Sequence, residues 1–298
     1  MADPVAASGA ASPFRAGTVL RPPRPSLLDA VAHSAVLRAL AAWRDNGGGQ
    51  PPLLLDGTAG NGHDCLFLAR QAPAGSLLLA LDIQEAALQA SRARLEQAGM
   101  AARCCASACA LSPLPSGTTD IRLVLHSHAA LPELLDALSE ADRQRPLLAG
   151  IFNFGYLPGT DKRCTTTAAG SLAAVDALLE RLAPQGCLSL HCYTGHEGGA
   201  AEEAALAQRL ARLEPRRWRV LHCRDANRET HGESILLAER LCGSADPQTG
   251  RAPEGAFFTG FSCQKKFEKI FHELFHNIKI VIKFNKLKEI FFTEKKRK

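Results

Sequence analysis

Nine consecutive residues, Asp56-Gly57-Thr58-Ala59-Gly60-Asn61-Gly62-His63-Asp64, place two acids, an amide and three glycines directly after the apolar run Leu53–Leu55. About two dozen residues on, a second apolar run, Leu77–Leu81, ends in Asp82-Ile83-Gln84. Glycines let a backbone approach a ligand closely, and an acid at the end of the next strand accepts hydrogen bonds from ribose hydroxyls. The spacing suits a nucleotide. The turn reads D-x-T-x-G-x-G rather than G-x-G-x-x-G, which favours S-adenosylmethionine over a dinucleotide. Asp82 is then the ribose acid and Gln84 reaches the adenosine. Asn61 offers an amide to the methionine carboxylate or amine, and Asp56 organises the turn and faces the ligand's amino group or a bridging water. Asp64 has two readings, a ligand contact or a charge that suits the dipole of the helix it opens.

Three further groups sit after apolar runs. His126-Ser127-His128 follows Ile121–Leu125, with no nearby carboxylate spaced for a Ser-His-Asp hydrolase. Asn153-Phe154-Gly155-Tyr156 follows Leu147–Phe152 and has the Asn/Asp-x-x-Tyr/Phe form that, in enzymes methylating planar amines, binds the target nitrogen and stacks its ring. Lys162, with Thr165-Thr166-Thr167 behind it, is placed to grip phosphate or to stand as a solvated loop cation. Tyr193-Thr194-Gly195-His196 belongs at the substrate mouth or in a helix-capping loop. Asn153 and Tyr156 are therefore the expected catalytic pair, and Lys162, Tyr193 and His196 the expected substrate contacts. Asp56 and His196 are the candidate proton acceptors.

These residues need a scaffold that brings strand ends together, and the pattern supplies one. Apolar residues recur at helical spacing from Ser26, a suitable N-cap, to Trp43. Strands are expected at Leu53–Leu55, Leu77–Leu81, Ala102–Cys105, Leu147–Phe154, Cys187–Tyr193, Trp218–Cys223 and Ser234–Ala238. Helices are expected at His63–Arg70, Glu85–Ala98, Leu131–Leu138, Ser171–Leu182 and Glu202–Leu213, and Ile121–Leu125 reads as strand or loop. Repeated β-α units imply a Rossmann-like α/β fold, a mostly parallel, doubly wound sheet with an antiparallel C-terminal edge.

Composition divides the chain. Residues 243–298 hold twelve Lys and Arg against six Asp and Glu, ten of the eleven lysines and nine of the thirteen phenylalanines; residues 1–242 hold 23 basic against 24 acidic side chains. The net charge of +5 thus belongs to the tail and says little about what the rest binds. The tail reads as an unselected extension, or as an amphipathic, basic element for a partner, an anionic surface or RNA. Residues 1–25, rich in Ala, Ser, Pro and Arg, read as a disordered extension or, alternatively, an organellar transit peptide. A methyltransferase domain over 26–242 lies between them. No run is long enough to span a bilayer. The ten cysteines form no C-x-x-C pair or zinc-finger spacing, so no metal is expected and a reducing, cytoplasmic setting fits, with an organelle the alternative.

DGTAGNGHD (Asp56–Asp64), LDIQ (Leu81–Gln84), Ser127-His128, FNFGYLPGTDK (Phe152–Lys162), Thr165-Thr166 and YTGHEGG (Tyr193–Gly199) together resemble, in order and at compatible spacing, the YtqB-like rRNA methylases, the MnmM family of tRNA methyltransferases. The resemblance covers roughly 26–242, and its FNxGYLPG-x-DK block is highly specific. It implies an S-adenosylmethionine-dependent, class I methyltransferase that methylates the amino group of 5-aminomethyl-2-thiouridine at the tRNA wobble position. It would contact the anticodon region, with no membrane partner and a homodimer left open. Carried over, Asn61, Asp64, Asp82, Gln84, Ser127 and His128 would contact the cofactor. Two departures stand out. Thr160 replaces a glycine, and Asn227 is followed by Arg228-Glu229-Thr230-His231 where the family has a Pro-Pro pair. An rRNA or small-molecule acceptor and a non-catalytic nucleotide-binding module remain alternatives.

Overall fold

The computed structural model describes residues 26–105, 114–115, 117–155, 167–195, 197–227 and 232–242. Both terminal extensions, and with them the readings made for residues 1–25 and 243–298, lie outside these. Helix α1, Leu27–Asp45, opens on Ser26, whose hydroxyl accepts from the Asp29 amide while Asp29 accepts from the Ser26 amide, each at 3.0 Å. That reciprocal cap satisfies two otherwise orphaned donors. There follow β1 (Leu53–Asp56), α2 (His63–Gln71), β2 (Leu77–Asp82), α3 (Glu85–Gln97), β3 (Arg103–Cys105) and β4 (Asp120–Leu125). A 3-10 turn at His128–Ala130 leads into α4 (Leu131–Asp136) and α5 (Glu140–Arg143). The chain continues through β5 (Leu147–Phe154), α6 (Ala168–Arg181), β6 (Leu182–Tyr193), α7 (Gly199–Ala211), β7 (Trp218–Arg224) and β8 (Glu233–Arg240).

The eight strands form one sheet in the order β3-β4-β2-β1-β5-β6-β8-β7. From β3 to β6 all pairings are parallel, and β8 runs antiparallel to both β6 and β7. The segment that reads as strand or loop, Ile121–Leu125, is an interior strand paired residue for residue with β2. Strand β6 starts five residues earlier than its apolar run suggests. Leu182 pairs with Leu147, then the register slips before Ala149–Cys187, and Gln185 takes a φ of 67° in the kink. Pro184, Gln185 and Gly186 look like a turn because they build this bulge.

Helices cover both faces. Val36, Ala39 and Leu40 of α1, Leu68 of α2 and Leu88 and Leu95 of α3 pack on Leu54, Leu78 and Ile151. On the other face Leu134 of α4, Leu178 of α6 and Leu206 of α7 pack on Leu55, Leu79, Phe152 and Phe154. Strand side chains alternate between faces. With Ile151 under α1 and Phe152 and Phe154 opposite, Asn153 falls on the α1 side. By the same alternation so do Asp56, Asp82, His191, Tyr193 and Glu233. Leu28 and Ala32 of α1 pack on Ile235 and Leu237 of β8, which holds the first turns of α1 over the carboxyl ends of β5 and β6. Among the described residues no helix is long and apolar enough to cross a membrane.

Candidate active site

The glycine turn spends its amides inward. Gly57 N–H donates to Ile151 O at 2.8 Å, Ala59 N–H to Leu81 O at 2.7 Å and Gly62 N–H to Ala59 O at 2.8 Å. Thr58 N–H donates to Asp56 Oδ1 at 3.2 Å, and Gly60 N–H to Asp82 Oδ2 at 2.9 Å. Asp82 also accepts from Gln84 N–H at 2.9 Å, so the acid after β2 ties its own turn to the one after β1. The glycines are required where they stand. A Cβ on Gly57 would lie 2.0 Å from the Phe152 ring, and one on Gly62, whose φ is +75°, would lie 2.6 Å from the Ser91 backbone. Asn61 is exposed at the tip of this turn, its carbonyl accepting from Arg94 at 2.6 Å.

Asp56 organises the turn through the Thr58 amide, as its place after β1 implies. It is fully buried, and its Oδ2 has no partner among the described residues. Burial first, then the charges of Asp64 and Asp82, push its pKa well above the usual carboxylate range.

Asp64 is the hub. Its Oδ1 accepts from His33 Nε2 at 2.7 Å and its Oδ2 from Asn153 Nδ2 at 2.7 Å. The His33 ring stacks face to face on Phe67 with centroids 3.7 Å apart. The Asn153 backbone N–H donates to Thr58 Oγ1 at 2.7 Å. Asp64 therefore joins α1, α2 and β5 through side-chain bonds, which a simple helix-dipole role would not require.

One turn before His33, Asp29 reaches His191. Asp29 Oδ1 lies 3.4 Å from His191 Nδ1, and Glu233 Oε2 lies 2.9 Å from His191 Nε2. The bond to His191 is the main cause that holds the Asp29 carboxyl below its ordinary pKa. Tyr193 stacks on the His191 ring at 4.4 Å and borders Gly155, where an added Cβ would meet its side chain at 3.3 Å. Burial, and then the charges of Asp29, Glu233 and Asp64, push the Tyr193 phenol up, so it stays a donor at neutral pH. Asp29, His33, His191 and Glu233 are absent from the sequence expectations. Their one local signal is a polar i, i+4 pair, Asp29 and His33, beside an apolar stripe.

On the opposite face, Ser127 Oγ caps the 3-10 turn by accepting from Ala129 N–H at 3.2 Å. His128 packs edge-on to Phe154 and Phe152, at 5.5 and 6.2 Å between centroids. Burial lowers its pKa to about 4. Its Nε2 lies 3.4 Å from Ser171 Oγ, which donates to the buried Glu202 at 2.5 Å. Beside Asp82, two apolar side chains stand open, Ile83 at 52% exposure and Leu125, the partner of Asp82 across the β2–β4 ladder, at 45%. The structure thus brings Asn61, Asp64, Asp82, Gln84, Ser127, His128, Asn153 and Tyr193 to the carboxyl ends of the strands. Tyr156, Lys162 and His196 lie outside the described residues.

A glycine turn, an acid closing the next strand and an Asn at the end of β5, on a sheet with one reversed strand near its edge, is the layout of a class I methyltransferase. The sequence model of the family described as "Putative rRNA methylase" matches residues 78–239. The chain belongs to this rRNA methylase family. It is a methyltransferase, as its relatives are. A chloroplastic tRNA (mnm5s2U34)-methyltransferase of Arabidopsis thaliana is 30% identical over 155 residues, 50% of this chain and 49% of that protein. The chain therefore matches about half the length of that curated relative. A Streptococcus mutans protein described as a "putative methyltransferase", crystallised with SAH, is 25% identical and superposes at a TM-score of 0.55, covering 73% of this chain and all of that one. An rRNA methylase from Streptococcus thermophilus is also 25% identical, with a TM-score of 0.52, 74% of this chain and all of that one covered. The solved rRNA methylase of Streptococcus thermophilus thus shares the fold of this chain.

Proposed function

We propose that this chain transfers the methyl of S-adenosylmethionine to the primary amine of 5-aminomethyl-(2-thio)uridine at the wobble position of tRNA. The observation that carries this reading is the fixed amide of Asn153. A carboxylate only accepts hydrogen bonds, so the atom facing Asp64 is the amide nitrogen and the carbonyl Oδ1 is left for an N–H of the acceptor. The described residues also suit the donor. Asp82 and Gln84 stand where ribose and adenosine hydroxyls would be met, and Ile83 and Leu125 offer apolar surface for a planar base. Asn61 and Asp64 bear on the amino-acid end, near the unpartnered Oδ2 of Asp56. Ser127 and His128 close the far side.

S-adenosylmethionine supplies an electrophilic methyl on a sulfonium, so little covalent help is required and placement of the acceptor dominates. Asn153 Oδ1 accepts one N–H and leaves the nitrogen lone pair free. Tyr156, at the end of the Asn-x-x-Tyr segment, would cover the base ring, and Tyr193 would border it from β6. Lys162 and His196 would meet the RNA backbone. An aminomethyl group is largely protonated at neutral pH and must pass a proton to water, or to His196 as candidate acceptor, before attack; the carboxylates around Tyr193 favour arrival of the cation. The Arabidopsis relative's tRNA activity supports the RNA and the nucleoside.

The test is nucleoside mass spectrometry of tRNA from a deletion strain, with purified protein added back. Accumulated 5-aminomethyl nucleoside, converted to its methylamino form on add-back, is the expected result. Unchanged wobble uridine, or methyl incorporated into rRNA instead, rejects it.

A further inference from the structure

The amide that selects the acceptor is not oriented by its own strand. Asn153 sits at the end of β5, and its only described side-chain restraint is the 2.7 Å bond to Asp64 Oδ2. Asp64 in turn receives His33 Nε2 at 2.7 Å on its other oxygen. The acid accepts from both sides, so the direction of the whole chain is forced. His33 Nε2–H donates to Asp64, and Asn153 Nδ2–H donates to Asp64. His33 is itself held by face-to-face stacking on Phe67, one turn beyond Asp64 on α2. Its helix is anchored by the reciprocal Ser26–Asp29 cap and by Leu28 and Ala32 on β8.

We propose that His33 is a positioning residue for methyl transfer: through Asp64 it fixes which end of the Asn153 amide faces the acceptor. This deepens the proposed function and rests on it for the identity of the acceptor. Without the His33 donor, Asp64 can turn about its side-chain bonds, and the Asn153 amide is free to flip and present its NH2 group. An NH2 group repels the N–H of an amine. His33 touches neither donor nor acceptor in this account, and it acts by geometry two bonds away.

The chain can be read without RNA. Sinefungin carries an amine where S-adenosylmethionine carries its sulfonium methyl, whereas SAH carries nothing there. The ratio of their affinities for the full-length protein, measured by calorimetry, therefore reports whether a carbonyl faces that position. The unmodified protein is expected to prefer sinefungin by about tenfold, as one well-placed hydrogen bond gives. His33→Phe keeps the stack on Phe67 but loses the donor, and Asn153→Ala loses the carbonyl. Each should bring the ratio close to one, and the double variant should go no further. His33→Gln, which retains a donor, should recover most of the preference. A His33→Phe protein that keeps the native ratio, or two substitutions whose effects simply add, overturns the assignment. Methyl transfer to tRNA bearing the 5-aminomethyl nucleoside is run in parallel. A protein that shows the ratio pattern but leaves this tRNA unmethylated refutes the proposed substrate and upholds His33. Efficient transfer by His33→Phe, at unchanged kcat and KM, does the reverse.

Discussion

Asp82 Oδ2 and the Gly60 amide are joined by a 2.9 Å hydrogen bond between two loops that the sequence separates by 22 residues. The second Asp82 oxygen holds the Gln84 amide. The acid expected to bind ribose is thus also a fastener between the glycine turn and β2. Asp82→Ala should therefore lose two things together. SAH affinity should fall by about a hundredfold or more, and stability by about 2 kcal/mol as two backbone donors lose a charged acceptor. Calorimetric titration and urea melts read the two effects separately. Unimpaired SAH binding would refute the pocket.

Gly62 and Gly47 separate close contact from backbone strain. Both have positive φ, but an added Cβ at Gly47 meets nothing within 4 Å, while at Gly62 it strikes Ser91. Gly47→Ala should cost only the left-handed conformation, about 1–2 kcal/mol. Gly62→Ala should add about 1–3 kcal/mol of overpacking and displace the turn from α3. Equal destabilisation of the two variants in denaturant titrations would contradict the contact.

The parts of this site legible in the sequence are those whose chemistry is local. A glycine turn, a terminal acid and Asn-x-x-Tyr each announce themselves within a few residues. The α1 contribution is different. Asp29 meets His191 and His33 meets Asp64 only because Leu28 and Ala32 seat the helix on β8, and no short-range pattern encodes that docking. The surroundings of Asp56 are hidden from the sequence for a related reason. Its type and place imply an acid that organises the turn, but its burial beside Asp64 and Asp82 is a property of the assembled sheet. Likewise Ile121–Leu125 is too short an apolar run to distinguish strand from loop, and pairing with β2 decides it.

At the opposite end of the sheet, Arg122, only 4% exposed, bonds Asp142 at 2.9 Å, and Arg145 bonds the other Asp142 oxygen at 2.9 Å. Arg145 also donates to the carbonyls of Gly75 and Pro51, just before β2 and β1. Burial opposes ionisation of Asp142, but the bonds to Arg145 and Arg122 outweigh it and its pKa lies below the ordinary range. Asp142→Ala should cost about 2 kcal/mol, because Arg122 and Arg145 each lose a charged acceptor while Arg122 keeps Asp120 at 2.8 Å. SAH affinity should stay unchanged, since the cluster lies at the amino ends of the strands. A marked affinity loss in calorimetry would show that the network reaches the site.

His128 gives the fold a dependence on acid. Its ordinary pKa of 6.5 falls to about 4 through burial, so between those values the unfolded chain binds a proton that the folded chain refuses. Stability then rises with pH across this window. The contribution is complete above 6.5 and is lost progressively as pH falls toward 4. The neutral ring suits its contacts, with Nε2–H directed at a Ser171 oxygen whose own proton goes to Glu202. His128→Gln keeps a donor in place but cannot titrate. Urea midpoints measured from pH 4 to pH 7 should climb less steeply for the variant than for the native protein, with the two curves diverging most on the acid side. Parallel curves would mean that His128 takes up its proton equally in the folded and unfolded states.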